Sequence, residues 1–235
     1  MSATLERLVP DELSETDATG HATLELHLQR YEFAARHARS GRALDMACGV
    51  GYGSRLLADH AELDVLGVDL DAAAIAYAAT RYGGPRTRFE QRDAQAFSDP
   101  AGFDTVVSLE TIEHVPDPVL LIERLVAAVR PGGVLIASVP TTPSVDVNPH
   151  HLHDFTERTF AAMIARHGLA EIDRLRQVQP FAPIAVLRRA EARTTDLRPH
   201  LMRYYASHPR AAIKRAVATA RYGFTNRYVT IAWRR

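Results

Sequence analysis

Ala43-Leu44-Asp45-Met46-Ala47-Cys48-Gly49-Val50-Gly51-Tyr52-Gly53 joins a short apolar run to three glycines at alternate positions, and helix-forming residues follow as far as His60. Such a stretch reads as a buried strand that enters a glycine-rich turn and leaves it as a helix. Glycines without a Cβ let a ligand lie against the backbone, and a helix N-terminus offers N–H groups and the positive end of its dipole. Asp69 stands at the end of the next strand-like run, 20 residues past Gly49. A carboxylate there can accept both hydroxyls of a ribose. A nucleoside site follows from the pair.

Outward from this stretch, apolar runs of strand length alternate with helical ones: Arg42–Ala47 then Gly53–His60, Val65–Asp69 then Asp71–Tyr82, Thr87–Arg92, Phe103–Leu109 then Asp117–Val129, Val134–Val139 then Thr156–His167. This is the pattern of a parallel sheet covered by helices on both faces. Before it, Leu24, Leu28, Tyr31, Ala35 and Ala38 mark one face of a helix from about Ala18 to Arg39. After it, Leu169–Val178 and the alternating Arg227–Trp233 read as two more strands. The expectation is one α/β domain over 1–235: an N-terminal helical cap (1–41), a cofactor-binding core (42–180), an arginine-rich helical insertion or lid (181–225) and a final strand (226–235).

The formal net charge of zero is a cancellation. Of 28 basic and 28 acidic residues, 16 and 26 fall before Phe181, giving −10, and 12 and 2 after it, giving +10. The single cysteine, Cys48, forms no internal disulfide and reads as a small buried residue of the turn. No segment approaches the roughly 20 apolar residues of a membrane span, and the first ten residues lack the order of a signal peptide, so a cytoplasmic location is expected.

Three details favour S-adenosylmethionine over a dinucleotide. The glycine spacing is Gly-x-Gly-x-Gly, with Ser54 where a dinucleotide turn wants glycine. Asp45, just before the turn, would repel a pyrophosphate but suits the ammonium of a methionine moiety. Asp93, in Arg92-Asp93-Ala94 after the third strand, can accept from an adenine amino group. In order along the chain, Leu44-Asp45-x-x-Cys48-Gly49-x-Gly51, Asp69, Asp93-Ala94 and Leu109-Glu110-Thr111-Ile112-Glu113-His114-Val115 resemble the class I S-adenosylmethionine-dependent methyltransferases. Within them the chain is most similar to the branch of the ubiquinone-biosynthesis O-methyltransferases and the methyltransferases of sugar and polysaccharide biosynthesis. His27-Leu28-Gln29-Arg30-Tyr31 and Asn148-Pro149-His150-His151-Leu152-His153-Asp154-Phe155 add to the likeness, which spans about residues 20–170.

The resemblance implies a Rossmann-like, seven-stranded, mostly parallel sheet with a helical insertion before the last strand. It places Gly49 and Gly51 under the cofactor, Asp69 on its ribose and Leu70 beside its adenine. Asp93 and Ala94 hold the adenine edge, the Leu109 carbonyl meets the ammonium and Arg30 approaches the carboxylate. Ala47 departs from the glycine common at that place.

Methyl transfer from a sulfonium needs an aligned nucleophile and, for a hydroxyl, a base. His114, after the fourth strand, is the first candidate. His151 is the second, since His151 to Phe155 matches a His-x-x-x-Phe step of the related enzymes. Glu113 can orient a histidine, and Glu110 can line the methyl channel. No metal site is predicted; a Mg²⁺ variant, with Glu110, Glu113, His114 and His151 holding the ion, is the alternative weighed. The expected reaction is methylation of a hydroxyl of a small molecule, a sugar or secondary metabolite. Methylation of a small amine or aminosugar, and a non-catalytic cofactor-binding partner, are the alternatives; an NAD-dependent oxidoreductase requires a turn that is absent. Arg188, Arg189, Arg193, Arg198, Arg203 and Arg210, with Tyr204 and Tyr205, suit an anionic acceptor. No nucleic acid partner is expected, and a homodimer is compatible with the sequence.

Overall fold

Strand-length runs rich in Val, Leu and Ile pair side by side. The computed structural model describes residues 8–15, 17–181 and 197–235. Its strands are β1 (Arg42–Met46), β2 (Asp64–Asp69), β3 (Thr87–Gln91), β4 (Phe103–Leu109), β5 (Val129–Pro140), β6 (Ala170–Pro180) and β7 (Thr225–Arg234), in the order β3-β2-β1-β4-β5-β7-β6. The pairs from β3 to β5 are parallel, and β7 runs antiparallel between β5 and β6. The helices are α1 (Ala18–His37), α2 (Tyr52–Ala61), α3 (Ala72–Tyr82), α4 (Pro118–Ala128), α5 (Glu157–Ala165), α6 (Leu201–Ser207) and α7 (Pro209–Tyr222). This is the mostly parallel seven-stranded sheet expected, with its helical insertion before the last strand.

Successive side chains on a strand point to opposite faces, and that alternation divides the core in two. On one face Tyr31 and Ala34 of α1 and Leu57 and Ala58 of α2 pack on Ala43, Val65, Val107 and Ile136. On the other, Leu121, Ile122 and Leu125 of α4 and Phe160 and Ile164 of α5 pack on Leu44, Met46, Val106 and Leu135. Trp233 of β7, 1% exposed, closes this second layer edge-to-face with Phe160, ring centroids 5.4 Å apart. The strand order reverses between β1 and β4, so their C-terminal ends frame a crevice, the place where open α/β sheets bind ligands.

Two boundaries differ from expectation. α1 stops at His37 because Ala38 is extended and Gly41 turns at φ +120°. β5 starts at Val129, not Val134. Phe103 pairs with Val129 and Thr105 with Val134, so Arg130–Gly133 bulges within the strand around Gly132 at φ +79°.

Arg188, Arg189 and Arg193 lie outside the described residues. Arg203 and Arg210 are exposed, and Arg198, Tyr205, Lys214 and Arg215 reach the loop after β5. Asp146, 5% exposed, accepts from Arg215 Nε at 2.8 Å, Arg215 Nη2 at 2.7 Å and the Tyr205 hydroxyl at 2.7 Å. Arg198 donates to the carbonyls of Asp146 and Val145, and Lys214 Nζ to Asp154 at 2.6 Å. Burial would raise the Asp154 carboxyl, but Lys214 and the amides of Ser144 and Val145 hold it below the ordinary carboxylate range. These cations therefore spend their charge on the protein's own loop.

Because Trp233 joins β7 to α5, Trp233→Ala is expected to cost about 3–5 kcal/mol of unfolding free energy, read from denaturant midpoints at constant slope. A cost below about 1 kcal/mol would show that the second core layer does not depend on this contact.

Candidate functional site

The crevice is a cavity of about 570 Å³ built from the residues that follow β1, β2 and β4, with α1 as its cover. Ala47, Cys48, Gly49 and Val50 line it from the turn after β1, Asp69 and Leu70 from the end of β2, and Leu109, Glu110, Thr111 and His114 from beyond β4. The turn is held by its neighbour strand. Cys48 N donates to Val68 O at 2.9 Å, Gly49 N donates to Asp69 Oδ2 at 2.9 Å, and the other Asp69 oxygen accepts from Asp71 N at 2.9 Å. Gly49, at φ +57°, has open space where a Cβ would point. Gly51 and Gly53 are glycines for packing: a Cβ on Gly51 would lie 2.6 Å from Ala78, and one on Gly53 would lie 1.9 Å from the Tyr31 ring.

Two non-glycine residues on this wall, Ala47 at φ +62° and Glu110 at φ +51°, hold left-handed backbone. Strain of this kind persists where surrounding structure enforces it. At Glu110 the enforcer is buried Ser138, whose hydroxyl donates to Glu110 Oε1 at 2.7 Å while Glu110 N donates back to Ser138 Oγ at 3.0 Å.

His27, Arg30 and Tyr31, one turn of α1, close the cavity from above. Arg30 is 2% exposed. Its Nε donates to Gln177 Oε1 at 2.8 Å and its guanidinium lies 4.5 Å above the Tyr228 ring, yet among the described residues no carboxylate pairs with it. A buried arginine with its charge toward a cavity is an anion holder.

At the other end Glu113 is fully buried and His114 and His151 are half-buried; one ligand atom of each lies within 4.8 Å of the others. His114 and His151 meet edge-to-face with centroids 4.6 Å apart. The loops that carry them are stitched by Leu152 N and His153 N donating to the Glu113 carbonyl at 2.8 and 3.2 Å.

Of the residues expected at the site, Arg30, Gly49, Asp69, Leu70, Leu109, Glu110 and His114 share this cavity. Asp45, Gly51, Asp93, Ala94, Glu113 and His151 do not line it. Asp45 follows from the alternation of β1, which sends its carboxylate under the turn, 1% exposed, to accept from Ser54 Oγ at 2.6 Å and the Tyr31 hydroxyl at 3.2 Å. Direct contact with a ligand ammonium in the cavity is thereby corrected to a contact made with the α1–α2 face. Asp93 is exposed and caps its own turn, accepting from Gln95 N at 2.9 Å. Arg198, Arg203 and Arg210 are likewise absent from the wall. Among the described residues, sequence reading missed His27, Tyr52 and Thr111 as cavity residues and Gln177 and Tyr228 beneath Arg30. His27 was findable, since it lies three residues before Arg30 and four before Tyr31 on one helix face. Burial pushes the Cys48 thiol up, with Asp45 and Asp69 adding to the effect, so it is no nucleophile at neutral pH.

A family model described as a methyltransferase domain matches residues 43–133. A probable S-adenosylmethionine-dependent methyltransferase of Mycolicibacterium smegmatis is 32% identical over 59% of this chain and 56% of its own length. A ubiquinone biosynthesis O-methyltransferase of Ralstonia nicotianae is 29% identical over 77% of this chain and 76% of its own. The curated relatives include an N-methyltransferase as well. The matches span 56% to 62% of the length of the first of these relatives. Among solved structures, a putative methyltransferase from Bacillus halodurans superposes with a TM-score of 0.68 at 16% identity, covering 88% of this chain and 97% of that one.

Burial raises the Asp45 carboxyl from 3.8 to about 6, against the lowering effect of Ser54 and Tyr31. A raised folded-state value means that stability present below about pH 4 is lost as pH climbs through 6. Relative to Asp45→Asn, the native chain should lose on the order of 2–3 kcal/mol between pH 4 and pH 7. Urea unfolding of both across that range reads the difference; a gap that does not change with pH would mean that Asp45 ionises as it does in water.

Proposed function

We propose that this chain, which belongs to the class I S-adenosylmethionine-dependent methyltransferases, methylates a hydroxyl of a small molecule. One observation carries the reading: a single cavity sets a buried arginine, a diol-accepting aspartate and a histidine at its wall. That order matches the cofactor from carboxylate to ribose, with the acceptor's proton at the third group. The fit rests on Gly49, whose missing Cβ leaves the turn open to a ligand, and on Arg30, a buried cation facing the same space.

Bound there, S-adenosylmethionine supplies a methyl group already activated by its sulfonium. The chain's residues do the rest. Arg30 receives a carboxylate, held in place by Gln177 and Tyr228. Asp69 accepts a ribose diol while its oxygens also fix the turn, Leu70 offers an apolar surface to the adenine, and the Leu109 carbonyl accepts from the ammonium. Glu110, pinned by Ser138, lines the methyl channel. His114 and His151, with Glu113 beside them, form the group that prepares the acceptor oxygen to lose its proton. A hydroxyl acceptor is supported by the ubiquinone O-methyltransferase relative, similar over three quarters of both chains. A cavity of about 570 Å³ suits a small molecule such as a sugar or secondary metabolite.

S-adenosylhomocysteine should bind with micromolar affinity by calorimetry, and Arg30→Ala and Asp69→Ala should each weaken it at least tenfold. Incubation with S-adenosylmethionine and a panel of hydroxylated and amino acceptors should show a gain of about 14 daltons by mass spectrometry on a hydroxylated one. His114→Ala should lower turnover by about 10²-fold with cofactor affinity within a few-fold. Transfer to amines alone, with turnover indifferent to His114, would replace the hydroxyl reading; binding of NAD without S-adenosylhomocysteine would end it.

A further inference from the structure

Ser144, in the loop after β5, engages every polar group it has. Its amide donates to Asp154 Oδ1 at 2.7 Å, its carbonyl accepts from Val147 N at 3.1 Å and Asn148 N at 2.8 Å, and its hydroxyl lies 2.6 Å from His151 Nδ1. Asn148, 7% exposed, carries the arrangement forward: its Oδ1 accepts from His150 N at 3.0 Å and its carbonyl from His151 N at 3.3 Å. The His150 carbonyl oxygen so placed lies 3.2 Å from His114 Nδ1. A carbonyl only accepts, so the ring donates. Both imidazoles thus trace to one residue, His151 directly and His114 through Asn148 and His150.

His114 lines the cavity and His151 does not. The two rings meet edge-to-face with centroids 4.6 Å apart, so His151 is a surface against which His114 rests. Misplacing a reacting group by about 1 Å can cost about 10²-fold in rate. Asp154 reaches the same anchor from the other side, taking the amides of Ser144 and Val145 on one oxygen and Lys214 Nζ at 2.6 Å on the other. Lys214 belongs to α7, so a side chain of the insertion stands three contacts from His151.

We propose that Ser144 is the positioning residue of the His114 and His151 pair, and that Lys214 of the insertion supports it through Asp154. His151, expected from sequence as a second base, then serves as the backing that sets the angle at which His114 meets the acceptor. The task of the pair rests on the proposed methyl transfer to a hydroxyl; the anchoring does not.

Nuclear magnetic resonance correlations of the ring nitrogens read the anchor without an acceptor. At about pH 8.5, where a free imidazole is neutral, His151 should hold one tautomer above about 90%, while exposed His167 shows the mixture of a free ring. The signals lost in His151→Ala identify the ring. Ser144→Ala should move His151 to that mixture, and Ser144→Thr, which keeps a hydroxyl, should retain the native ratio. Lys214→Met should shift it in the same direction as Ser144→Ala, by less. S-adenosylhomocysteine affinity within about threefold of native shows that each variant folds. A ratio indifferent to Ser144→Ala overturns the anchor, and one indifferent to Lys214→Met overturns the part given to the insertion. Once an acceptor is found, Ser144→Ala should lower kcat about tenfold with KM within about twofold, and Ser144→Thr should restore it. Unchanged kcat despite an altered ratio overturns the positioning role. Methylation of amines alone sinks the hydroxyl reading and leaves the tautomer ratios standing.

Discussion

Both carboxylate oxygens of Asp69 accept from backbone amides, one from Gly49 in the turn after β1 and one from Asp71 at the start of α3. Much of the site depends on this bridge. Ala47, Gly49 and Gly51 all hold positive φ, and for Ala47 that conformation costs about 1–2 kcal/mol. A hydrogen bond to a charged group contributes about 1.5–3 kcal/mol, enough to outweigh it. The turn therefore stays open because the neighbouring strand ends in an acid. The same acid faces the cavity, so one side chain shapes the turn and remains within reach of a ligand that lies on it.

A second constraint acts from the far edge of the sheet. Gln177 of β6 and Tyr228 of β7 are direct cross-strand partners, and together they hold the guanidinium of Arg30 on α1. Gln177 also donates to the Leu26 carbonyl and to Gln29, so the helix is fixed in register with the strands. The antiparallel insertion of β7 between β5 and β6 is what brings this pair under α1. The cation at one end of the cavity is thus positioned by the last strands of the chain, although the turn it faces belongs to the first.

The sheet was legible because its signals are local. Alternation of apolar and helical runs, glycines at 49, 51 and 53, and Asp69 at the end of the next run need no knowledge of distant contacts. What failed is what alternation decides at single positions. Asp45 stands one residue out of phase with the cavity and lies under it, and Gly51 and Gly53 are small for Ala78, Phe89 and Tyr31, not for a ligand. The layer under Arg30 was out of reach, since Gln177 lies 147 residues away and its role comes from strand pairing. Glu113, His114 and His151 were legible as one group, with Glu110, but the stitching of two loops that brings their ligand atoms together was not.

The division of charge along the chain has a structural meaning that composition does not show. The basic segment reads as a surface for an anionic acceptor, yet three of its described cations turn onto the protein's own loop: Arg215, joined by the Tyr205 hydroxyl, onto Asp146, Arg198 onto two loop carbonyls, and Lys214 onto Asp154. The acids belong to the loop after β5, which also carries His151. A buried pair such as Arg215–Asp146 is weak evidence for stability, because desolvation offsets much of the attraction, but it selects one arrangement over others. Loops are otherwise the mobile part of an α/β fold. The excess of positive charge in α6 and α7 thus acts first on the acidic loop, and through Asp154 and Ser144 it reaches the imidazole of His151. Zero net charge is in this sense a contact: cations of the +10 part pair with acids of the loop in the −10 part that carries His151.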